Sequence, residues 1–96
     1  MLPNQFHADS MSELLNLDQM REISGLEFMQ GILDGRYPSP PIGKTLGYYL
    51  TEVAEGRVVF SGAPSFDAFN PMGTVHGGWY GTLLDSAMAC AVMTKV

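Results

Sequence analysis

From Gly77 onward the sequence reads as one helix whose apolar residues reach nearly every side, with Trp79, Leu83, Leu84, Ala87, Met88, Ala91, Val92 and Met93 spread around it. A helix of that kind has to be covered by other parts of a fold or by another chain, and no other stretch restricts the architecture as much. One carboxylate, Asp85, sits in its third turn, with Gly81, Thr82, Met88 and Ala89 at the helical spacings. Burial there destabilises the charged form, which marks Asp85 as a candidate functional group. A purely structural role would need a partner, and Thr82, Ser86 or a tyrosine are the local candidates.

The start of the same helix carries a second candidate feature. A helix N-terminus leaves backbone N–H groups without intrahelical partners and has a partial positive charge, so it can hold a developing oxyanion without any side chain. Gly77 and Gly78 let a ligand approach that backbone, while His76 and Asn70 add polar side chains able to orient a carbonyl. Asn70 precedes a proline, a position where asparagine often caps a turn through its own backbone, and the two roles are compatible. His76 has the comparable alternative of a helix-start histidine satisfied by backbone.

Gly77 and Asp85 are eight residues apart, roughly 12 Å along a helix axis. One carbonyl carbon cannot lie within hydrogen-bond reach of both, so a shared reaction requires the two groups to come from different subunits. The expectation is a homodimer with two such helices antiparallel across a twofold axis.

Upstream, Ser10-Met-Ser-Glu13 is a candidate capping box for a short helix with Leu14, Leu15 and Leu17, in a terminal extension expected to dock loosely if at all. Met20, Ile23, Leu26, Met29, Ile32 and Leu33 recur at helical intervals from Asp18 to Asp34, with a break expected near Ser24 and a stop at Gly35. Pro38, Pro40 and Pro41 make Arg36–Pro41 an extended connector. Lys44–Ala54 and Arg57–Ser61 read as the strands of a hairpin turning at Glu55-Gly56, with Gly47 marking a bulge or bend. Tyr48 and Tyr49 should then face opposite ways, one packed and one exposed. Asp67 reads as a solvated loop residue.

The 96 residues suffice for one small domain, and a net charge of −5 with only five Lys and Arg argues against nucleic-acid binding. Cys90 is the single cysteine, which excludes an intrachain disulfide and suggests a small buried hydrophobe in a reducing cytoplasm. No secretory signal or membrane-length apolar run is legible, and His7 and His76 lie too far apart in sequence to suggest a metal site. A soluble protein without metal or other cofactor is expected.

The run Asn70-Pro-Met-Gly-Thr-Val-His76-Gly77-Gly78 followed by Leu83-Leu84-Asp85-Ser86-Ala87-Met88 closely resembles the hotdog-fold acyl-CoA thioesterases of the phenylacetic-acid-degradation type, within the 4-hydroxybenzoyl-CoA thioesterase superfamily. Ser24-Gly-Leu-Glu27 and Pro40-Pro-Ile-Gly-Lys-Thr-Leu-Gly47 are similar to that family's first helix and its entry into the first strand, so the resemblance spans residues 24–96, after an extension over 1–23. It implies an α+β hotdog fold, an antiparallel sheet wrapped around a central helix, of which only the N-terminal part is present. It also implies an acyl- or aryl-CoA thioester hydrolase acting as a homodimer or as a tetramer built from two dimers. Asp85 would be nucleophile or general base, Gly77 the oxyanion donor, and Asn70 a positioning group. His76 and Gly78 would contact substrate, and the first helix would lie beside the substrate entrance, where Phe28 or Met29 could touch an acyl chain.

A dehydratase acting on hydroxyacyl thioesters is the nearest enzymatic rival, and Asp85 favours hydrolysis over it. A non-catalytic acyl-CoA-binding module is the rival from another class, and an inactive fragment is a third reading. With two strand-like stretches before a helix that needs cover on all sides, a sequence lacking about three further strands is expected.

Overall fold

Residues 1–96, all described by a computed structural model, form an α+β arrangement in which three helical segments precede a two-stranded antiparallel sheet and one long helix follows it. After a 3₁₀ turn at Met11–Glu13, α1 covers Leu17–Arg21, α2 Gly25–Asp34 and α3 Pro41–Leu46. The strands are β1, Tyr48–Ala54, and β2, Arg57–Gly62; α4 runs from Gly77 to Met93.

The helix break falls where the sequence placed it. Ser24 caps α2 by accepting from the Glu27 N–H at 3.0 Å, and Gly35 ends it in the left-handed region at φ 86°. The first capping box differs from the expected one. Ser10 makes no cap bond, and the reciprocal pair is Asn16 with Gln19, which accept from each other's backbone N–H at 2.8 and 2.9 Å. An asparagine cap with a glutamine three residues on performs the same chemistry as Ser and Glu.

Lys44–Leu46 are helical, not the start of the first strand. Pro40 and Pro41 supply the fixed φ that suits a first helical turn, and Gly47 ends α3 in the left-handed region at φ 77°. The hairpin therefore starts at Tyr48, and its irregularity lies between Leu50 and Glu52, with Thr51 Oγ1 donating to the Val59 carbonyl at 3.1 Å. Tyr48 is buried, whereas Tyr49 is partly covered.

The N-terminal segment is docked, contrary to the loose extension expected. Ala8 N–H donates to the Ser39 carbonyl and Ser39 N–H to the Phe6 carbonyl, at 3.0 and 2.7 Å, and the Gln5 amide donates to the Leu50 carbonyl at 2.8 Å. The proline-rich connector has few N–H groups of its own, so its carbonyls and the Ser39 N–H were open to an extended partner. Met29 and Ile32 of α2 meet Leu50 of β1 as the core, joined at its edge by Phe60, Cys90 and Met93.

Helix α4 is held along one side only. Trp79 Nε1 donates to the Leu46 carbonyl at 2.6 Å, and the Tyr48 and Ser86 hydroxyls are 2.9 Å apart. At the far end the Gly56 N–H donates to Thr94 Oγ1 at 2.7 Å and the Gly25 N–H to the Val96 carbonyl at 2.8 Å. The opposite face carries Gly77, Tyr80, Gly81, Leu84, Asp85, Met88, Ala89 and Val92, all exposed. The chain by itself thus covers half of a helix that the sequence required to be covered all round.

Candidate active site

The loop leading into α4 is built around Asn70. Its Oδ1 accepts from the N–H groups of Met72 and Thr74 at 3.0 and 3.3 Å, and its Nδ2 donates to Thr74 Oγ1 at 2.9 Å. The backbone closes the same turn, with Asn70 N–H donating to the Thr74 carbonyl and Gly73 N–H, at φ 81°, to the Asn70 carbonyl. The structural reading of Asn70 is therefore the one this chain displays: the side chain fixes the turn that delivers His76. Thr74 completes that turn, and nothing in the sequence pattern singled it out.

His76 is the N-cap of α4. Its Nδ1 accepts from the Gly78 N–H at 2.7 Å, and its own N–H donates to the Ala68 carbonyl at 2.8 Å. A ring nitrogen that accepts from backbone carries no proton, so the neutral ring has its proton on Nε2 and offers a donor outward. The same bond consumes the Gly78 N–H, so Gly78 is not free to hold an oxyanion. Gly77 N–H has no partner in the chain, and no atom lies within 4 Å of where a Gly77 side chain would begin. The helix mouth thus presents two outward donors, Gly77 N–H and His76 Nε2–H.

Asp85 departs from expectation in its surroundings. It is exposed, not buried among apolar side chains. The three local partners that could have neutralised it are engaged elsewhere, Thr82 with the Gly78 carbonyl at 2.8 Å and Ser86 with Tyr48. It stands as the single charged group on the exposed side of α4, in a row of small residues formed by Gly77, Gly81, Asp85 and Ala89 and beside a bulky row formed by Tyr80, Leu84, Met88 and Val92. No atom lies near the Gly81 Cβ position either. Burial of Asp85 therefore depends on whatever rests against this face.

Cys90 lies on the opposite, packed side. Burial, and secondarily the Asp85 charge, push its thiol above the ordinary value. That makes it a weak nucleophile, consistent with the packing role read from the sequence. Among His, Cys, Asp and Glu there is no group of three that could hold a metal ion, and no helix is long and apolar enough to cross a membrane.

Asn70, His76, Gly77 and Gly78 come together at the mouth of α4, whereas Asp85 stays two turns away, as its spacing dictates. No family model, curated protein or solved structure matches this chain. The fold and geometry define a small α+β protein with a donor-bearing helix mouth and a separate carboxylate on one exposed helix face.

Proposed function

We propose that the chain is the hotdog-type portion of an acyl-CoA thioesterase and that two copies build its sites by pairing their α4 helices antiparallel. The observation that carries the reading is the placement of Gly77 and Asp85 on one exposed face, symmetric about Gly81. A twofold axis passing at Gly81 brings the Gly77 end of one helix opposite Asp85 of the other, twice. The absence of a side chain at Gly81 permits the helix axes to approach closely at the crossing.

In that pair a thioester carbonyl accepts from Gly77 N–H of one protomer, with His76 Nε2–H directed at the same substrate. Asp85 from the second protomer stands across the cleft. The carboxylate either takes a proton from water attacking the carbonyl carbon or attacks that carbon itself to give a mixed anhydride, which water then opens. Either way the C–S bond breaks, coenzyme A leaves as its thiol, and the free acid is the second product. Coverage by the second helix excludes bulk water from around Asp85 and leaves the carboxylate facing the bound carbonyl. The order helix, hairpin, helix, with α4 packed on the hairpin, supports the hotdog assignment.

The test is hydrolysis of a panel of aryl- and acyl-CoA thioesters by the wild type and by Asp85→Asn. Turnover by the wild type that falls at least a hundredfold in Asp85→Asn is expected. Asn70→Ala and Asp85→Ala chains, each inactive, should regain activity when mixed, because one of the two shared sites is then intact. Undiminished turnover by Asp85→Asn removes Asp85 from the reaction and with it the site shared between two α4 helices. Thioester binding without turnover by the wild type turns the protein into a non-catalytic acyl-CoA-binding module.

A further inference from the structure

The turn that precedes α4 spends its polar side chains on itself. The Asn70 amide and the Thr74 hydroxyl are bonded to one another and to N–H groups of the turn, so the side chains left facing solvent at its tip are Pro71 and Met72, the latter 87 % exposed. No atom lies within 4 Å of the Gly73 Cβ position, so that tip stands clear of the rest of the chain. At the other end of α4 the uncovered face is just as apolar. Beyond Asp85 it carries Met88, Ala89 and Val92, and no charged residue occurs between Asp85 and Lys95. Met88 and Val92 keep 62 and 66 % of their exposure.

In a pair symmetric about Gly81, residues equally far before and after that position face each other across the axis. Asp85 then stands opposite Gly77, Met88 opposite Thr74 and Val92 opposite Asn70. Straight helices that cross at one point separate towards their ends, so a cleft widens outward from the carbonyl position. One wall is Met88 and Val92 of one protomer, and the other is the Met72 turn of its partner.

A thioester carbonyl held at Gly77 sends two arms away, the acyl group and coenzyme A. The coenzyme A arm carries amides and, beyond them, phosphates; against walls that hold no cation and whose amide and hydroxyl are already engaged, desolvating those groups is costly. A hydrocarbon chain gains from the same walls, and methionine thioethers adapt to its shape. We infer that this cleft is the acyl subsite, that its ligand is an apolar acyl chain of medium length, and that Met72 of one protomer and Met88 of the other set the length accepted. The assignment rests on the thioesterase pair proposed above. From Asp85 to Val92 is seven residues, roughly 10 Å along the helix axis, which is the run of wall a chain can follow. Phe28 and Met29, expected from the sequence to touch the acyl chain, belong instead to the core on the packed side of α4.

The experiment is a chain-length series, acetyl- through octanoyl- to dodecanoyl-CoA, given to mixed chains. When Asn70→Ala and Asp85→Ala chains are combined, the intact site takes its turn and helix mouth from the Asp85→Ala chain and its carboxylate face from the Asn70→Ala chain. For that mixture kcat/KM should rise about fourfold per methylene up to octanoyl and level off by dodecanoyl. Met88→Ala added to the Asn70→Ala chain should lower the octanoyl-to-acetyl ratio of kcat/KM about tenfold, and Met72→Ala added to the Asp85→Ala chain should do the same. The converse placements alter only the dead site and should not move the ratio. A ratio of two rates does not depend on how much of the protein is paired, and both methionines are exposed in the single chain, so their removal leaves its core intact. A mixture without turnover overturns the shared site and the subsite together. Turnover with a flat length profile, or with a ratio that Met88→Ala moves equally from either chain or from neither, overturns the subsite alone and leaves the shared site standing.

Discussion

Gly81→Ala reads out what rests on α4 by the sign of its effect. In the chain alone Gly81 is an exposed, mid-helix glycine with nothing within 4 Å of its Cβ position. Alanine there should raise stability by about 1 kcal/mol through helix propensity alone. In a domain of this size that corresponds to a melting temperature about 4–8 °C higher. If a twofold partner crosses at Gly81, the two added methyl groups meet at the axis, and overpacking costs about 1–3 kcal/mol for the assembly. The variant should therefore be the more stable protein at high dilution and the weaker dimer at high concentration. Circular-dichroism melts at two concentrations, paired with sedimentation equilibrium, read both effects. A variant that gains the full propensity term at every concentration while dimerising and hydrolysing like the wild type would show that the helices do not cross there.

Three further substitutions or conditions probe the frame. Trp79→Phe leaves the Leu46 carbonyl at the end of α3 without its 2.6 Å donor and should cost about 1–2 kcal/mol in chemical denaturation. Gly25→Ala would drive a methyl group into the Met93 carbonyl where α2 meets α4, so a loss of several kcal/mol, or failure to fold, is expected in the same assay. The raised Cys90 thiol should alkylate more slowly than a free cysteine at pH 8, and Asp85→Asn should speed it, because the Asp85 charge is the secondary cause of the shift. Its folded state holds the proton longer than its unfolded state does. The contribution to stability is thus fully present below the ordinary value of 9.0 and is lost as pH rises through the raised one.

Local signals served the sequence well where they act within one turn of chain. Ser24 and Gly35 bracket α2 as expected, Gly56 turns the hairpin, and His76 starts α4, because caps and turns depend on a few adjacent backbone groups. The misreadings differ in cause. Lys44–Leu46 carry strand-compatible residues, but two prolines and Gly47 bracket them into a helical turn. The N-terminal residues show no apolar period, yet they bond the main chain of the proline connector, which periodicity does not register. For Asp85, sequence could establish that its neighbours are apolar or small, but not on which side of α4 the hairpin packs. Trp79, Ser86, Cys90 and Thr94 decide that, through bonds and contacts to α3, β1, α2 and the hairpin turn.

That choice of side also sets how strongly the proposed pair can hold. Only 11 of the 96 residues are buried, so the isolated chain has a thin core and small reserves of stability. On the uncovered side, Tyr80, Leu84, Met88 and Val92 retain between 52 and 66 % of their exposure. Full burial of such a side chain contributes about 1.5–3 kcal/mol, and these four have roughly half of that still to gain. Over two chains the gain is therefore on the order of 6–12 kcal/mol, against an association cost of about 4–15 kcal/mol. The most favourable combination of the two terms leaves about 8 kcal/mol, a Kd of about 1 μM, so this face alone supports at best a dimer that dissociates as concentration falls to the micromolar range. Folding and pairing are then linked, and the melting temperature should climb as protein concentration is raised from a few micromolar to several hundred. A non-hydrolysable thioester analogue that touches Gly77 of one chain and Asp85 of the other should move that climb to lower concentration, because it adds contacts only the pair possesses. A melting temperature independent of concentration, with monomeric mass throughout and no response to the analogue, would leave Asp85 in water and deny it the desolvation on which its chemistry depends.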